Sequence, residues 1–239
     1  MNYGRLRQTL LVPTALIFFF SQGYAIAHEN ATGVSAGAAL RELRDGNQRY
    51  LGGTTKAVKG ASRRKELLGG QAPSAIILSC SDSRVPPEVV FDRGLGDLFT
   101  IRVAGNVLGV ATVASIEYAI EHLGTHLIVV MGHESCGAIK AALTTPKQQS
   151  AGSPDLDALI SSVYLDPKDQ VLTTEDPRLR KQAVFNVNGV SDQLVKRSPI
   201  VRKAVAEGTV TIVRGIYGLS TGKVDFWATE GLDKPEIPH

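Results

Sequence analysis

The two cysteines of this chain lie in two compact polar motifs, Cys80-Ser81-Asp82-Ser83-Arg84 and His133-Glu134-Ser135-Cys136-Gly137. Each motif follows an aliphatic run, Ala75–Ser79 and Leu127–Met131, and so sits where a buried strand ends. Two thiolates and an imidazole, with a carboxylate close by, form a donor set suited to zinc. Neither cysteine belongs to a Cys-x-x-Cys pair, and their separation is unlike the paired close spacings of zinc fingers and ribbons. The candidate ligands Cys80, His133 and Cys136 therefore come from two separate strand ends, with the fourth position left to water or to Asp82. Three protein ligands plus water is the arrangement of a catalytic zinc, and four protein ligands that of a structural one. Asp82 and Arg84 stand two apart on a loop. The guanidinium either keeps the carboxylate ionised and aimed for catalysis, or forms a loop salt bridge and nothing more. Cys136 falls at a helix start, where the helix dipole favours a thiolate. The competing reading of the two cysteines is a single disulfide, which requires none of Asp82, Arg84 and His133.

The elements that must position these groups begin after residue 27. Residues 1–27 read as a secretory signal peptide, with Arg5 and Arg7 at the start, an uncharged and mostly apolar run from Leu10 to Phe20, and Ala25-Ile26-Ala27 as a small-x-small cleavage site. The run falls short of the roughly 20 residues a membrane span needs. The expectation is an exported protein, periplasmic or secreted, with no stable membrane insertion after cleavage. Residues 28–239, about 210 in number, fit one domain with a sizeable core. Loss of the two arginines takes the formal charge from +3 to +1, which gives no reason to expect nucleic acid as a partner.

Gly37–Tyr50 has helical spacing of Leu40, Leu43 and Tyr50, and a short basic helix follows around Ser62–Leu68. Ala75–Ser79, Leu98–Arg102, Leu127–Met131 and Val210–Arg214 read as strands, with Lys223–Trp227 as a hairpin partner to the last. Val110–Leu123 and Gly137–Leu143 read as helices. The proline-punctuated stretch 144–177 holds short helical pieces, and 178–206 is helical with a break at Ser198-Pro199. Strands alternating with helices predict an α/β fold, a mostly parallel sheet of four to five strands flanked by helices, with ligands at the carboxyl ends of the strands.

Taken together, Cys80-Ser81-Asp82-Ser83-Arg84-Val85-Pro86, Arg102-Val103-Ala104-Gly105-Asn106 and His133-Glu134-Ser135-Cys136-Gly137 resemble the β-class carbonic anhydrases. The resemblance continues through Ile116-Glu117-Tyr118 and Gly215-Ile216-Tyr217 and covers roughly residues 37–228. It implies reversible hydration of carbon dioxide to bicarbonate and a proton by zinc-bound hydroxide. It also implies one zinc per subunit on Cys80, His133 and Cys136, and a catalytic dyad of Asp82 and Arg84. N-terminal helices would embrace a partner subunit in a homodimer or higher even oligomer, with the active site at the interface. By position, Gln71, Val85, Phe99 and Tyr118 match substrate-pocket residues of the plant-like branch, and Gly137 offers a backbone amide to bicarbonate. For lone aromatics such as Phe99 and Tyr118 the plain alternative is core packing. A related zinc hydrolase of carbonyl sulfide or carbon disulfide, or a non-catalytic zinc or disulfide protein, is the alternative function.

One position departs from another branch of the family. That branch carries a tryptophan three residues before the first zinc cysteine, as part of an inhibitory bicarbonate site that closes the metal. This chain has Ile77 there, although Arg102 and Tyr217 match the other two members. The expectation is an open site, with Asp82 paired to Arg84 and water on the metal.

Overall fold

The computed structural model describes residues 33–57, 60–145, 149–168 and 178–228; the proposed signal peptide lies outside the described residues. Five strands form one sheet: β1 (Ala75–Ser79), β2 (Leu98–Arg102), β3 (Leu127–His133), β4 (Thr211–Tyr217) and β5 (Val224–Ala228). Their order is β2-β1-β3-β4-β5. The first four run parallel, and β5 closes the edge antiparallel to β4, as the hairpin reading predicts. The helices are α1 (Ala36–Leu51), α2 (Ala61–Glu66), α3 (Pro87–Val90), α4 (Val110–Leu123), α5 (Gly137–Thr144), α6 (Pro154–Ser161), α7 (Arg178–Arg197) and α8 (Pro199–Ala206). The break between the last two is where Ser198 ends one helix and caps the next, accepting from Val201 N–H at 3.0 Å. Among the described residues no helix is long and apolar enough to cross a membrane.

Two strands run further than their aliphatic residues indicate. β3 continues to His133 and β4 to Tyr217, because Gly132 pairs with Ile216 and His133 with Tyr217 after the apolar signal has faded. Backbone pairing needs no particular side chain, so a glycine and a histidine can extend a strand that periodicity ends early.

The unbroken aliphatic runs follow from burial on both faces. Ala75 and Ile77 of β1, with Leu127, Val129 and Met131 of β3, pack in the core that holds Ala39 and Leu43 of α1 and Ile139 of α5. Ile76 and Leu78, with Ile128 and Val130, pack in the core on the other face with Val113 and Ile116 of α4 and Val187, Val190 and Leu194 of α7. The helix α1, which the family resemblance would have embrace a partner, thus buries its apolar stripe in its own core.

The end of α1 is tied to the loop after α3. A Cβ at Gly46 would lie 1.8 Å from the Phe91 carbonyl oxygen, so only glycine allows this approach. Asp92, with a side chain 2 % exposed, accepts from Arg49 Nε, from Thr55 Oγ1 and from the amides of Lys56 and Ala57. Burial pushes this carboxyl up, but the hydrogen bonds from Thr55, Arg49 and the two amides outweigh it and hold it well below the usual carboxylate range. A depressed pKa means that its stabilisation is present above about pH 4 and is lost as pH falls toward the folded value. Asp92→Ala is therefore expected to cost about 2 kcal/mol at neutral pH, because it takes a buried acceptor away from Arg49, Thr55 and the amides of Lys56 and Ala57. It should also flatten the fall of stability below pH 4. Urea titrations at pH 7 and pH 3 check both, and a loss under 1 kcal/mol at pH 7 contradicts the assignment.

Candidate metal centre

The strand order brings the two cysteine motifs together. From β1 the chain moves outward to β2, then crosses back to β3 on the other side of β1. The loops leaving the carboxyl ends of β1 and β3 therefore diverge and leave a crevice between them, the switch point at which open α/β sheets bind ligands. Ser79 pairs with Met131, so Cys80 and the His133–Cys136 turn emerge side by side. Ser135 takes a positive φ of 52°. This bends the main chain between His133 and Cys136, and Cys136 then becomes the N-cap of α5.

Cys80, His133 and Cys136 are all buried, and their ligand atoms lie within 4.8 Å of one another. The two sulfurs are 3.9 Å apart and both cysteines are free, so the disulfide reading does not describe this structure. His133, 1 % exposed, donates from Nδ1 to the Glu134 carbonyl oxygen at 2.8 Å. Its Nε2 is buried with no hydrogen-bond partner. A buried ring nitrogen facing two sulfurs, with its opposite nitrogen held by a carbonyl, has the form of a zinc-ligating histidine. The sulfurs are prepared in the same way. The Cys136 thiol, opposed by burial, holds Cys80 down at about 4, helped by His133 and by the amides of Asp82 and Gly105. The Cys80 contact and burial push Cys136 up in turn. Left to each other the sulfurs share one proton; a dication in its place lets both be thiolates. These residues fit zinc.

Asp82 stands at the rim of this cluster, with Oδ2 3.8 Å from His133 Nε2. Arg84 grips it in a fork, Nε to Oδ1 at 2.9 Å and a terminal nitrogen to Oδ2 at 2.7 Å, and the Arg84 amide adds a third bond to Oδ1 at 3.0 Å. The Arg84 side chain is the main reason the Asp82 carboxyl lies far below its usual range. The pair expected from sequence is thus formed. Arg102 braces the loop beneath it, donating to the Cys80 carbonyl at 3.1 Å and the Asp82 carbonyl at 2.6 Å.

Of the pocket residues, Val85 is buried in the core with Cys80 and Cys136, and Gly137 is exposed as the first residue of α5. The other three stand apart from the cluster of their own chain. Phe99 is level with Ile76, about 13 Å along β1 from Cys80, and packs on the opposite core. Tyr118, half exposed on α4, lies with its ring 6.4 Å from that of Phe99. Gln71 is exposed ahead of β1, at the end away from Cys80. Three contributors were not legible as site residues: Gly105, whose amide donates to Cys80 Sγ at 3.3 Å, and the Glu134–Arg180 ion pair at 3.1 Å. Gly105 and Glu134 lie inside quoted motifs, but nothing local marks Arg180.

Residues 75–224 match the family described as "Carbonic anhydrase". A carbonic anhydrase of Mycolicibacterium smegmatis is 37% identical over 192 residues, 79% of this chain and 91% of that protein. Among solved structures, the β-carbonic anhydrase CcaA superposes with a TM-score of 0.63 at 25% identity, covering 80% of this chain and 99% of that one. A tetrameric β-carbonic anhydrase of the filamentous ascomycete Sordaria macrospora superposes with a TM-score of 0.58 at 27% identity, covering 68% of this chain and 84% of that one.

Proposed function

The chain belongs to the β-class carbonic anhydrase family, and we propose that it hydrates carbon dioxide reversibly to bicarbonate and a proton, using zinc on Cys80, His133 and Cys136. The observation that carries this reading is the convergence of two sulfurs and a buried, unpartnered imidazole nitrogen beside a forked Asp82–Arg84 pair. When bound, zinc supplies Lewis acidity that brings the pKa of water from about 15.7 toward 7, a magnitude known for the histidine-ligated carbonic anhydrases. Two thiolates donate more charge than imidazoles and would make a zinc held by Cys80, His133 and Cys136 a weaker acid. The chain's own residues do the rest. Arg84 keeps Asp82 ionised, and Asp82 Oδ2 accepts a hydrogen bond from the attacking water and orients it toward carbon. Val85 provides an apolar wall, and the Gly137 amide meets a developing negative oxygen.

An even oligomer completes the pocket. Gln71, Phe99 and Tyr118 match pocket positions of the family but stand away from the cluster of their own chain. They serve the cluster of a second subunit, and the tetrameric assembly of the Sordaria relatives supports this. With Asp82 held by Arg84, a metal on Cys80, His133 and Cys136 would keep its fourth position open. Ile77 takes the place of the inhibitory site's tryptophan. Tyr217 is engaged with Tyr50 at 3.1 Å, its hydroxyl pushed up to about 12 by burial and by that contact. Arg102 is engaged with two backbone carbonyls.

The test measures zinc content, mass in solution and carbon dioxide hydration on one purified sample. One zinc per chain, a dimeric or tetrameric mass and rapid hydration are expected. Hydrolysis of carbonyl sulfide or carbon disulfide without carbon dioxide hydration overturns the assignment, as does a fully active monomer for the shared pocket.

A further inference from the structure

The direction in which His133 Nε2 points is set by a partner on the opposite side of its ring. That partner is the carbonyl oxygen of the next residue, Glu134, at 2.8 Å. The aim of the imidazole therefore depends on what holds the Glu134 peptide. Three contacts do so. The Glu134 amide donates to the Tyr217 carbonyl at 3.0 Å and continues the β3–β4 pairing by one bond. Oε1 accepts from Arg180 Nε at 3.1 Å, and Oε2 accepts from the Leu219 amide at 3.1 Å. Arg180 is itself braced, since its other arm reaches Asp225 Oδ2 at 2.8 Å and Lys223 Nζ pairs with Asp225 Oδ1 at 2.8 Å.

The link after Glu134 needs that support. Ser135 sits at φ 52°, in the left-handed region that disfavours a residue with a Cβ. Relaxation of Ser135 would rotate the Glu134 carbonyl and release the histidine. The groups that resist this rotation are the Arg180 side chain of the distant helix α7 and the Leu219 backbone amide of the turn after β4. Arg180 and Glu134 are 34% and 27% exposed, so the ion pair contributes little to global stability. Its consequence is local.

We propose that Glu134, clamped by Arg180, is the positioning residue for His133: the ion pair fixes the carbonyl that orients the ring and so tunes metal affinity. The inference rests on reading the Cys80–His133–Cys136 cluster as a zinc site. Neither residue touches the metal or the substrate.

The test compares the zinc-loaded wild-type protein with Glu134→Ala, Arg180→Met and Arg180→Lys. Three quantities are measured: zinc affinity by chelator competition, the visible absorption of the cobalt-substituted protein, and thermal unfolding. Glu134→Ala and Arg180→Met are expected to weaken zinc by about 10-fold or more and to shift the cobalt bands. Arg180→Lys keeps the charge at Glu134 and is expected to recover most of the affinity. Arg180 is partly exposed, so Arg180→Met remains informative should Glu134→Ala not fold. Unchanged zinc affinity and cobalt spectrum in Arg180→Met, even with a lower melting temperature, overturn the proposal and leave the pair a structural brace. A wild-type protein that binds no zinc overturns the metal reading itself, so the two failures are distinct.

Discussion

Cys136→Ser is expected to lower bound zinc from one per chain to less than about a tenth, and to reduce carbon dioxide hydration to the uncatalysed background. The expectation follows from where the sulfur sits. Cys136 is buried 3.9 Å from Cys80, at the N-cap of α5, with the Ala138 and Ile139 amides directed at it. Those amides and the helix dipole favour a thiolate there. A serine hydroxyl is harder, stays protonated at neutral pH and cannot replace a soft anionic donor. The remaining pair, Cys80 and His133, leaves a divalent ion two ligands short of a closed shell. Serine is close to cysteine in size, so the sheet and its two cores should survive, and circular dichroism of the variant should match the wild type. Chelation of the wild-type protein should produce the same inactive state, and added zinc should reverse it for the wild type alone. A variant that keeps a full complement of zinc would remove Cys136 from the ligand set.

The meeting of Cys80, His133 and Cys136 was legible in the sequence because the two motifs that carry them each follow an aliphatic run that reads as a buried strand. Ala75–Ser79 and Leu127–Met131 show continuous apolar character, and both lie fully inside the sheet. The ends of β3 and β4 were not legible, since Gly132, His133 and Gly215 carry no strand signal and are held by backbone pairing alone. α3 is four residues long, too short for a periodic pattern to be seen. The pocket residues show a different limit. Position in a motif identifies Gln71, Phe99 and Tyr118, but not where the fold puts them relative to Cys80. Register and sheet face separate Phe99 from it: Phe99 pairs with Ile76, four residues before Cys80, and packs on the opposite core. Arg180 marks the far limit. It lies 46 residues from Glu134, and its local sequence is that of any solvated helix turn.

Asp82→Asn is expected to lower kcat/KM for carbon dioxide by about 100- to 10,000-fold while zinc content stays at the wild-type level. The two halves have separate causes. Zinc is retained because Asp82 is held away from the metal position by a bidentate fork from Arg84, and so adds nothing to the ligand count. Activity falls because an amide cannot supply two anionic acceptor oxygens. Both oxygens hold Arg84, and Oδ2, 3.8 Å from His133 Nε2, must also orient the attacking water. The sign of the pH effect follows from the same fork. Hydrogen bonds from Arg84 hold the Asp82 carboxyl far below its usual range, so it stays ionised at every pH above the strongly acidic region. The pair is present from mildly acid to alkaline pH and is lost only as pH falls through that depressed value. Asp82 therefore does not set the pH midpoint of the wild-type rate. The variant should show a lower plateau with the midpoint in place, and an alkaline structure should show Asp82 still on Arg84. A rate midpoint displaced by a full unit in Asp82→Asn, or an alkaline structure with Asp82 bound to the metal, would show instead that the carboxylate exchanges between Arg84 and zinc.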